Sequence, residues 1–558
     1  MDNLILQYTL ENALKYSGKA NIGSVIGQLL QNDPKLKANV KELSQKVQET
    51  VKHVNSLSIE QQQKEFDNFN EKPRKEKKKR QSRTIPRLKN AKGKVIMRFA
   101  PNPNGSLSLG HCRQALWNYF FVEKNKGSYL LRYDDTDPKV KVPLKEAYNW
   151  IKEDLQWLNV KVNKTAIQSK RLSTYYKYAE KLVKQNNAYV CTCNPEKFRK
   201  LIQKSIICPC RELSSLEQLK RWKSMFKKYK EGEAVLRIKT NIMHSNPAVR
   251  DWPAFRIVKK SKHPLNKTNK VWPLLNFASA IDDHDFKVTH ILRGTDLEIS
   301  DRRQKYIYDY FNWQYPETMY SGKLLYEGVK STTQIKQLID ENKLLGWDDP
   351  RLGTIRALRR RGIQKETIIN FIKDSGIGKS DIHVALENLY ALNKSFIDKT
   401  SNRYFAVIDP IKLTIENSPE KEVKINFHPD YPKNGSRSFN VNKNFYIQKQ
   451  DFTSLKKDKL YRLMDCLNFT FNNTEYTYNS EDHETYEKQG EKIMHWLPQS
   501  KGLIDIEILM DNGTLVKGLA ESSVKKLKVD DIIQFYRVGF VRLDKKQKNK
   551  LTFYYAHR

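Results

Sequence analysis

The chain has 558 residues, 39% apolar and 11% aromatic, enough for two to four domains with proper cores, which excludes a disordered or fibrous protein. Its 101 lysines and arginines against 63 acidic residues give a formal charge of +38, far beyond what solubility needs, and imply a polyanionic partner, nucleic acid being the commonest. No run of about 18 apolar residues occurs, and the Met1-Asp2-Asn3-Leu4 start has no basic segment leading into an apolar one, so membrane and secretory classes are set aside and a cytoplasmic protein is expected.

Residues 1–70 read as a helical extension, because Leu4, Leu10, Ala13 and Leu14, then Ile22, Val25, Ile26, Leu29 and Leu30, recur at helical spacing. Residues 71–92, with Arg74-Lys75-Glu76-Lys77-Lys78-Lys79-Arg80, form a basic, proline-punctuated tract and read as a solvated linker. From Val95 short apolar strands alternate with helices, which predicts a parallel α/β sheet whose first half spans 93–190.

The first strand, Val95 to Phe99, runs through Pro101-Asn102-Pro103-Asn104-Gly105-Ser106-Leu107-Ser108-Leu109-Gly110-His111 into an apolar-periodic helix. Unpaired N–H groups and the positive dipole end at a helix start favour an anion, Gly110 admits it to the main chain, and His111 adds a donor; the pattern predicts a phosphate site. An ordinary strand-to-helix turn is the alternative. A second strand, Tyr129-Leu130-Leu131-Arg132-Tyr133, leads into Asp134-Asp135-Thr136-Asp137-Pro138, three carboxylates at the end of a strand where open α/β sheets bind ligands. One of the three is expected to serve only as a cap for the helix that follows.

An insertion over 191–270 interrupts the sheet. Cys191-Thr192-Cys193 and Cys208-Pro209-Cys210 offer two thiolate pairs to a tetrahedral soft-ligand ion, and structural Zn²⁺ is expected; reduced structural thiols are the alternative, since a reducing compartment disfavours disulfides. The sheet is expected to resume over 271–334, from Val271-Trp272-Pro273 past Ile281-Asp282-Asp283 to the strand Val288 to Asp296. Residues 335–395 read as a helical connecting region carrying Arg356, Arg359, Arg360 and Arg361, and 396–558 as two small β-barrels, from short strands between Pro, Gly and Asn turns.

In this order the motifs resemble the archaeal-type glutamyl-tRNA synthetases, class I enzymes of the glutamyl and glutaminyl group. The resemblance is carried by the 98–111 segment, by Arg132 to Pro138, Pro247-Ala-Val-Arg-Asp-Trp252, Ile281 to Asp283 and His290 to Asp296, by Trp347 to Gly362 and Val538 to Asp544, and by the extension Leu10 to Ala20. It implies a Rossmann-like catalytic domain with an inserted acceptor-binding domain, a helical connecting domain and anticodon-binding barrels. The implied reaction activates glutamate with ATP and Mg²⁺ to glutamyl-adenylate and transfers it to the 3′ end of tRNA-Glu. On the same ground tRNA-Gln, other synthetases and translation factors are further candidate partners.

The resemblance also assigns roles. The signature Pro101 to His111, with Ser331, Thr332 and Thr333, would meet ATP, Gly110 and His111 most directly. Arg98, Ala100, Asn102, Asp134, Leu275, Ser279 and Arg293 would form the glutamate pocket, with Arg98 and Arg293 gripping carboxylate and Asp134 facing the α-ammonium. Three positions depart from the family pattern. Ser108 stands where the first signature histidine belongs, and Leu275 where a tyrosine is usual. The second signature reads Lys330-Ser331-Thr332-Thr333-Gln334-Ile335, so Gln334 replaces the lysine that would face pyrophosphate and leaves Lys330 and Lys336 to supply that charge. The acceptor arm is expected on the insertion and the anticodon on the barrels, where Tyr446, Phe452, Phe535 and Tyr536 are stacking candidates. Two rivals remain: a glutaminyl-tRNA synthetase, disfavoured by Asn102 and Arg293, and a non-catalytic RNA-binding paralogue, motivated by Ser108, Leu275 and Gln334 together.

Overall fold

The computed structural model describes residues 2–15, 18–32, 40–67, 84–328, 330–472 and 474–558, and the basic stretch 74–80 lies outside them. It divides into two compact units, Met1–Ser82 and Arg83–Arg558. Among the described residues no helix is long and apolar enough to cross a membrane.

The first unit consists of helices Asp2–Lys15, Ile22–Asn32, Val40–Ser56 and Ile59–Asp67. Each is apolar on one face, and Ile5, Leu10, Ala13, Val25, Leu29, Val47 and Val54 bury that face in a common core. Leu4, expected inside, is exposed, because the helical phase places its neighbour Ile5 on the buried side.

The second unit is built on a five-stranded parallel sheet in the order Lys164–Ile167, Ser128–Tyr133, Ile96–Phe99, His290–Gly294, Glu317–Ser321. The chain works outward in one direction from Ile96–Phe99 and then returns to its other side. The sheet therefore reverses between Ile96–Phe99 and His290–Gly294, and ligands bind beyond the carboxyl ends of the strands at such a reversal. The apolar strand residues Met97, Phe99, Tyr129 and Leu131 pack with Leu116 and Trp117 of the helix Leu109–Lys124.

The insertion folds as a four-stranded antiparallel sheet, Ala188–Cys191, Val235–Ile238, Pro253–Ile257 and Val271–Pro273. Val271–Pro273 thus closes the inserted sheet rather than resuming the parallel one, and Ile281-Asp282-Asp283 lies on the helix Leu275–Asp285 rather than on a strand. Short apolar runs do not reveal whether their partner strand is parallel or antiparallel.

The helical region comprises Thr332–Asp340, Ile355–Arg361, Lys365–Ser375 and Leu386–Ile397. Its arginines are structural. Arg356 pairs with Glu153, Arg359 lies over the Trp157 ring, Arg360 binds Asp348 and Asp544, and Arg361 donates to the carbonyls of Tyr555 and Ala556.

Beyond residue 400 come two seven-stranded sheets and the hairpin Lys421–Asn426/Ser436–Val441. The two β units are nested rather than consecutive. Arg403–Tyr404 and Ala406–Ile408 pair with strands of the last segment, 504–557, while the other sheet is formed within 410–498. Phe535, a stacking candidate, is fully buried against Phe553 and cannot meet a base; Tyr446, Phe452 and Tyr536 are half-buried.

Candidate active site and metal centre

The turn after Ile96–Phe99 enters its helix through a capping box. Ser108 is the N-cap: its Oγ accepts from His111 N at 3.3 Å, and His111 Nδ1 accepts from Ser108 N at 3.1 Å and lies 3.0 Å from Ser108 Oγ. The serine that departs from the family pattern is thus committed to the helix start, where serine is among the best caps. With Nδ1 accepting from the main chain, the imidazole carries its proton on Nε2. His111 is exposed at the helix start, and partial desolvation of its ring lowers the pKa, which favours the neutral imidazole. The N–H of Gly110 has no partner among the described residues, and a Cβ there would meet protein only at ordinary contact, 3.6 Å from Ser108 Oγ and 3.7 Å from Leu324 O. Protein packing does not require this glycine, and its open amide and bare Cα leave the helix N-terminus accessible.

The rest of the turn is scaffold. Leu107 and Leu109 are buried in the core, and Pro101 O and Pro103 O accept from Asp134 N and Leu144 N. Asn102 Oδ1 and Ser106 Oγ are buried without a partner, while Asn104 is half-buried. Gly105 packs under Trp347 and Thr332: a Cβ there would fall 2.4 Å from the indole and 2.7 Å from the threonine methyl. The two signatures are therefore in contact. The second begins a helix, Thr332–Asp340, whose own capping box pairs Ser331 Oγ with Gln334 N and Gln334 Oε1 with Ser331 N. Gln334, grouped with the catalytic residues by sequence, spends its amide on this cap, whereas Lys330, Thr333 and Lys336 are exposed.

At the sheet reversal lies a buried ionic cluster. Arg132 donates Nε to Asp134 at 2.6 Å, NH1 to Asp283 at 2.5 Å and NH2 to Ser279 at 3.1 Å. Arg98 reaches Asp283 at 3.3 Å and the Leu292 carbonyl at 3.3 Å. Asp282 is held by Arg171 at 2.8 Å and by the Tyr175 hydroxyl at 2.8 Å. Arg293, at the end of His290–Gly294, donates only to Gln304 Oε1, at 3.0 Å, and its Nε is buried with no partner. Ala100 is half-buried beside the cluster's strand, Ser279 faces the Arg132–Asp134 pair, and Leu275, the first residue of its helix, is 42% exposed.

Burial acts against every charge here, and the neighbours decide the outcome. It lowers Arg98, aided by Arg132 and Arg293, and raises Asp134 despite Arg132. Burial also lifts Asp282 to about 6, but for Asp283 the three arginines 132, 98 and 293 outweigh it and hold the carboxyl below its ordinary range. With Asp282 matched by Arg171, the guanidiniums of Arg98, Arg132 and Arg293 face the two carboxylates of Asp134 and Asp283. Asp285 pairs with Arg171 as well, and Arg293 also helps hold the buried Asp301 carboxyl below its ordinary range.

Sequence reasoning missed Arg132 as the hub, along with Arg171, Tyr175 and Gln304. A charged residue inside the apolar run Tyr129 to Tyr133 was the available signal for Arg132; nothing local marks the others.

In the insertion, Cys191, Cys193, Cys208 and Cys210 bring four sulfurs within 4.8 Å of one another, with Sγ–Sγ separations of 3.7 Å (191–208), 3.5 Å (193–208) and 3.7 Å (193–210). These are far longer than a disulfide bond, and a tetrahedral tetrathiolate with metal–sulfur bonds of about 2.3 Å has sulfur–sulfur edges of about 3.8 Å. The donor set and spacing fit a soft divalent ion, and Arg221 NH1, 3.5 Å from Cys210 Sγ, adds positive charge beside the thiolates.

Residues 94–399 match the family model of tRNA synthetases class I (E and Q), catalytic domain, and residues 401–488 and 493–544 match two models of the anti-codon binding domain of the same group. The chain is 45% identical to the glutamate–tRNA ligase of Pyrococcus furiosus and 44% identical to that of Thermococcus kodakarensis, covering 100% of itself and 100% and 99% of those proteins. It is 43% identical to the glutamate–tRNA ligase of Methanocaldococcus jannaschii, over the full length of both.

Proposed function

The chain belongs to the class I tRNA synthetases of the glutamate and glutamine group, and from that premise we propose that it activates glutamate with ATP and transfers it to tRNA-Glu. The observation that carries the choice of amino acid is the buried guanidinium of Arg293 at the sheet reversal, whose hydrogen bond goes to the neutral Gln304 and whose Nε has no partner. Glutamate brings a net charge of one negative unit to this pocket, and glutamine brings none.

In the first step a glutamate α-carboxylate oxygen attacks the α-phosphorus of ATP, the bond to the β-phosphate oxygen breaks, and pyrophosphate leaves with the bonding electrons. The Gly110 N–H, the helix dipole and the neutral His111 Nε2–H stabilise charge building on the phosphates. Arg293 and Arg98 hold the substrate's side-chain carboxylate, and Asp134, fixed by Arg132 and Ser279, accepts from the α-ammonium. In the second step a hydroxyl of the terminal tRNA ribose attacks the activated carbonyl, the bond from that carbon to the phosphate oxygen breaks, and the hydroxyl proton passes to the departing AMP phosphate.

Among the described residues the four cysteines are the one cluster with metal-ligand spacing. Mg²⁺ is therefore assigned to the phosphate oxygens of ATP, where it would neutralise their charge, rather than to a carboxylate cage. Cys191, Cys193, Cys208 and Cys210 are assigned to structural Zn²⁺, which would leave no open coordination position for chemistry. The test of the whole reading is aminoacylation of purified tRNA-Glu with an equimolar mixture of amino acids. Glutamate recovered after mild alkaline deacylation supports it, and an uncharged tRNA rejects it.

A further inference from the structure

We infer that Gln304 is a positioning residue that makes the pocket select by charge, an inference that rests on the glutamate reading above. Gln304 lies on the helix Glu298–Tyr310, is 2% exposed, and uses one atom, Oε1, to accept from both Arg293 NH2 at 3.0 Å and the Tyr315 hydroxyl at 3.1 Å. The second donor fixes the amide's orientation, so its carbonyl oxygen is held toward the guanidinium.

The chemical point is what Gln304 is not. A glutamate of the same shape would accept the same two hydrogen bonds, more strongly, and would neutralise Arg293. Charged acceptors hold the neighbouring cations: Asp134 and Asp283 take Arg132, Asp283 also takes Arg98, and Asp282 takes Arg171. Asp301 makes its ion pair with Lys305 and meets Arg293 only through the charge interaction that helps lower its pKa. Arg293 is the buried arginine of the cluster whose hydrogen bond goes to a neutral acceptor, which sets its plane and adds no counter-charge. Four buried polar atoms of this neighbourhood, Arg293 Nε, Asp283 Oδ2, Asp301 Oδ1 and the Tyr308 hydroxyl, have no protein partner. Tyr308 stands one turn beyond Gln304 on the same helix, and burial together with Asp283 raises its pKa, keeping the hydroxyl a donor. Arg293 Nε and the Tyr308 hydroxyl are the donors left open here, and a substrate carboxylate is the group they would take.

The experiment is tRNA-dependent ATP–pyrophosphate exchange by the full chain, with glutamate and with glutamine, for the wild type, Gln304→Glu and Gln304→Leu. Gln304→Glu keeps the geometry and cancels the charge, so the glutamate-over-glutamine ratio of kcat/KM falls at least about tenfold, mainly through the glutamate KM, with the ATP KM unchanged. Gln304→Leu keeps the charge and loses the orientation, so the glutamate KM rises about tenfold while glutamate stays preferred. A purely structural role would leave the ratio alone. A Gln304→Glu protein with the wild-type ratio overturns the inference; should that variant not fold, Gln304→Leu with a wild-type glutamate KM overturns it. A wild type that charges no glutamate removes the underlying reading, which is distinguishable because the variants are then not at issue.

Discussion

Gly105 and Trp347 meet with no room between them: a β-carbon on Gly105 would lie 2.4 Å from the indole ring. The contact joins the phosphate turn to the loop before Ile355–Arg361, and Thr332 of the second signature closes on the same spot. Trp347 is itself anchored in a core with Ile335, Leu344 and Leu352 and cannot swing aside freely. Gly105→Ala is therefore expected to separate the two signatures and depress the activation rate at least roughly tenfold, about 1.4 kcal/mol of transition-state stabilisation. Pyrophosphate exchange at saturating ATP and glutamate checks it; a wild-type rate shows that the signatures need not touch.

The four-cysteine site predicts one zinc per chain. Elemental analysis of protein purified without added metal should return a ratio near one, and Cys208→Ser/Cys210→Ser should lose the metal. Because the ion would tie Ala188–Cys191 to the segment 208–210, its removal should loosen the insertion, seen as new proteolytic cuts near 194–207. Retention of zinc by the double variant contradicts the assignment.

Because Gln334 closes a helix cap, a lysine in its place gains a cation but loses the reciprocal half of the capping box. Gln334→Lys is expected to leave the activation rate unchanged or raise it, while costing the loop helix about 0.5–1 kcal/mol. Lys330 and Lys336 flank the cap and are exposed, and replacing both by alanine should slow activation at least roughly tenfold if they face pyrophosphate. A double variant with the wild-type exchange rate rules out that role.

His495 gives an acid signature in the β region. It is fully buried, and burial with the adjacent Arg537 lowers its pKa to about 4, below the ordinary 6.5. The unfolded chain then binds a proton that the folded chain refuses, so this histidine's contribution is complete above pH 6.5 and is lost as pH falls toward 4, about 3 kcal/mol in all. Thermal melts across that window should slope downward with acid in the wild type, and less so in His495→Gln. Equal slopes contradict it.

The chemistry of the site was more legible in the sequence than its wiring. Arg98 and Arg293 stand out because each is a charge inside an apolar strand, Arg132 carried the same signal and was missed, and the cysteine pairs stand out because soft-ligand spacing is local. Gln334 was legible in principle, since Ser331-Thr332-Thr333-Gln334 is a capping-box pattern as well as a degenerate signature, but the second reading hid the first. Val271–Pro273 and the nesting of 403–408 with 504–557 depend on which distant strand pairs with which, and a three-residue apolar run carries no such information. Gln304 looks like any polar residue on a polar helix; only the fold reveals that it faces Arg293.

The account turns on Arg293, a buried guanidinium hydrogen-bonded to the neutral Gln304 and proposed to take the substrate carboxylate. Side-by-side pyrophosphate exchange with glutamate and glutamine, with tRNA present, tests it most directly in the wild type and in Arg293→Ala. Wild-type protein should strongly prefer glutamate. Arg293→Ala should raise the glutamate KM sharply, losing roughly 2–5 kcal/mol as a desolvated carboxylate goes unpaired, and narrow the preference while leaving the ATP KM nearly unchanged. Wild-type protein that activates glutamine as well as glutamate would contradict the account and favour a glutaminyl activity on the same fold.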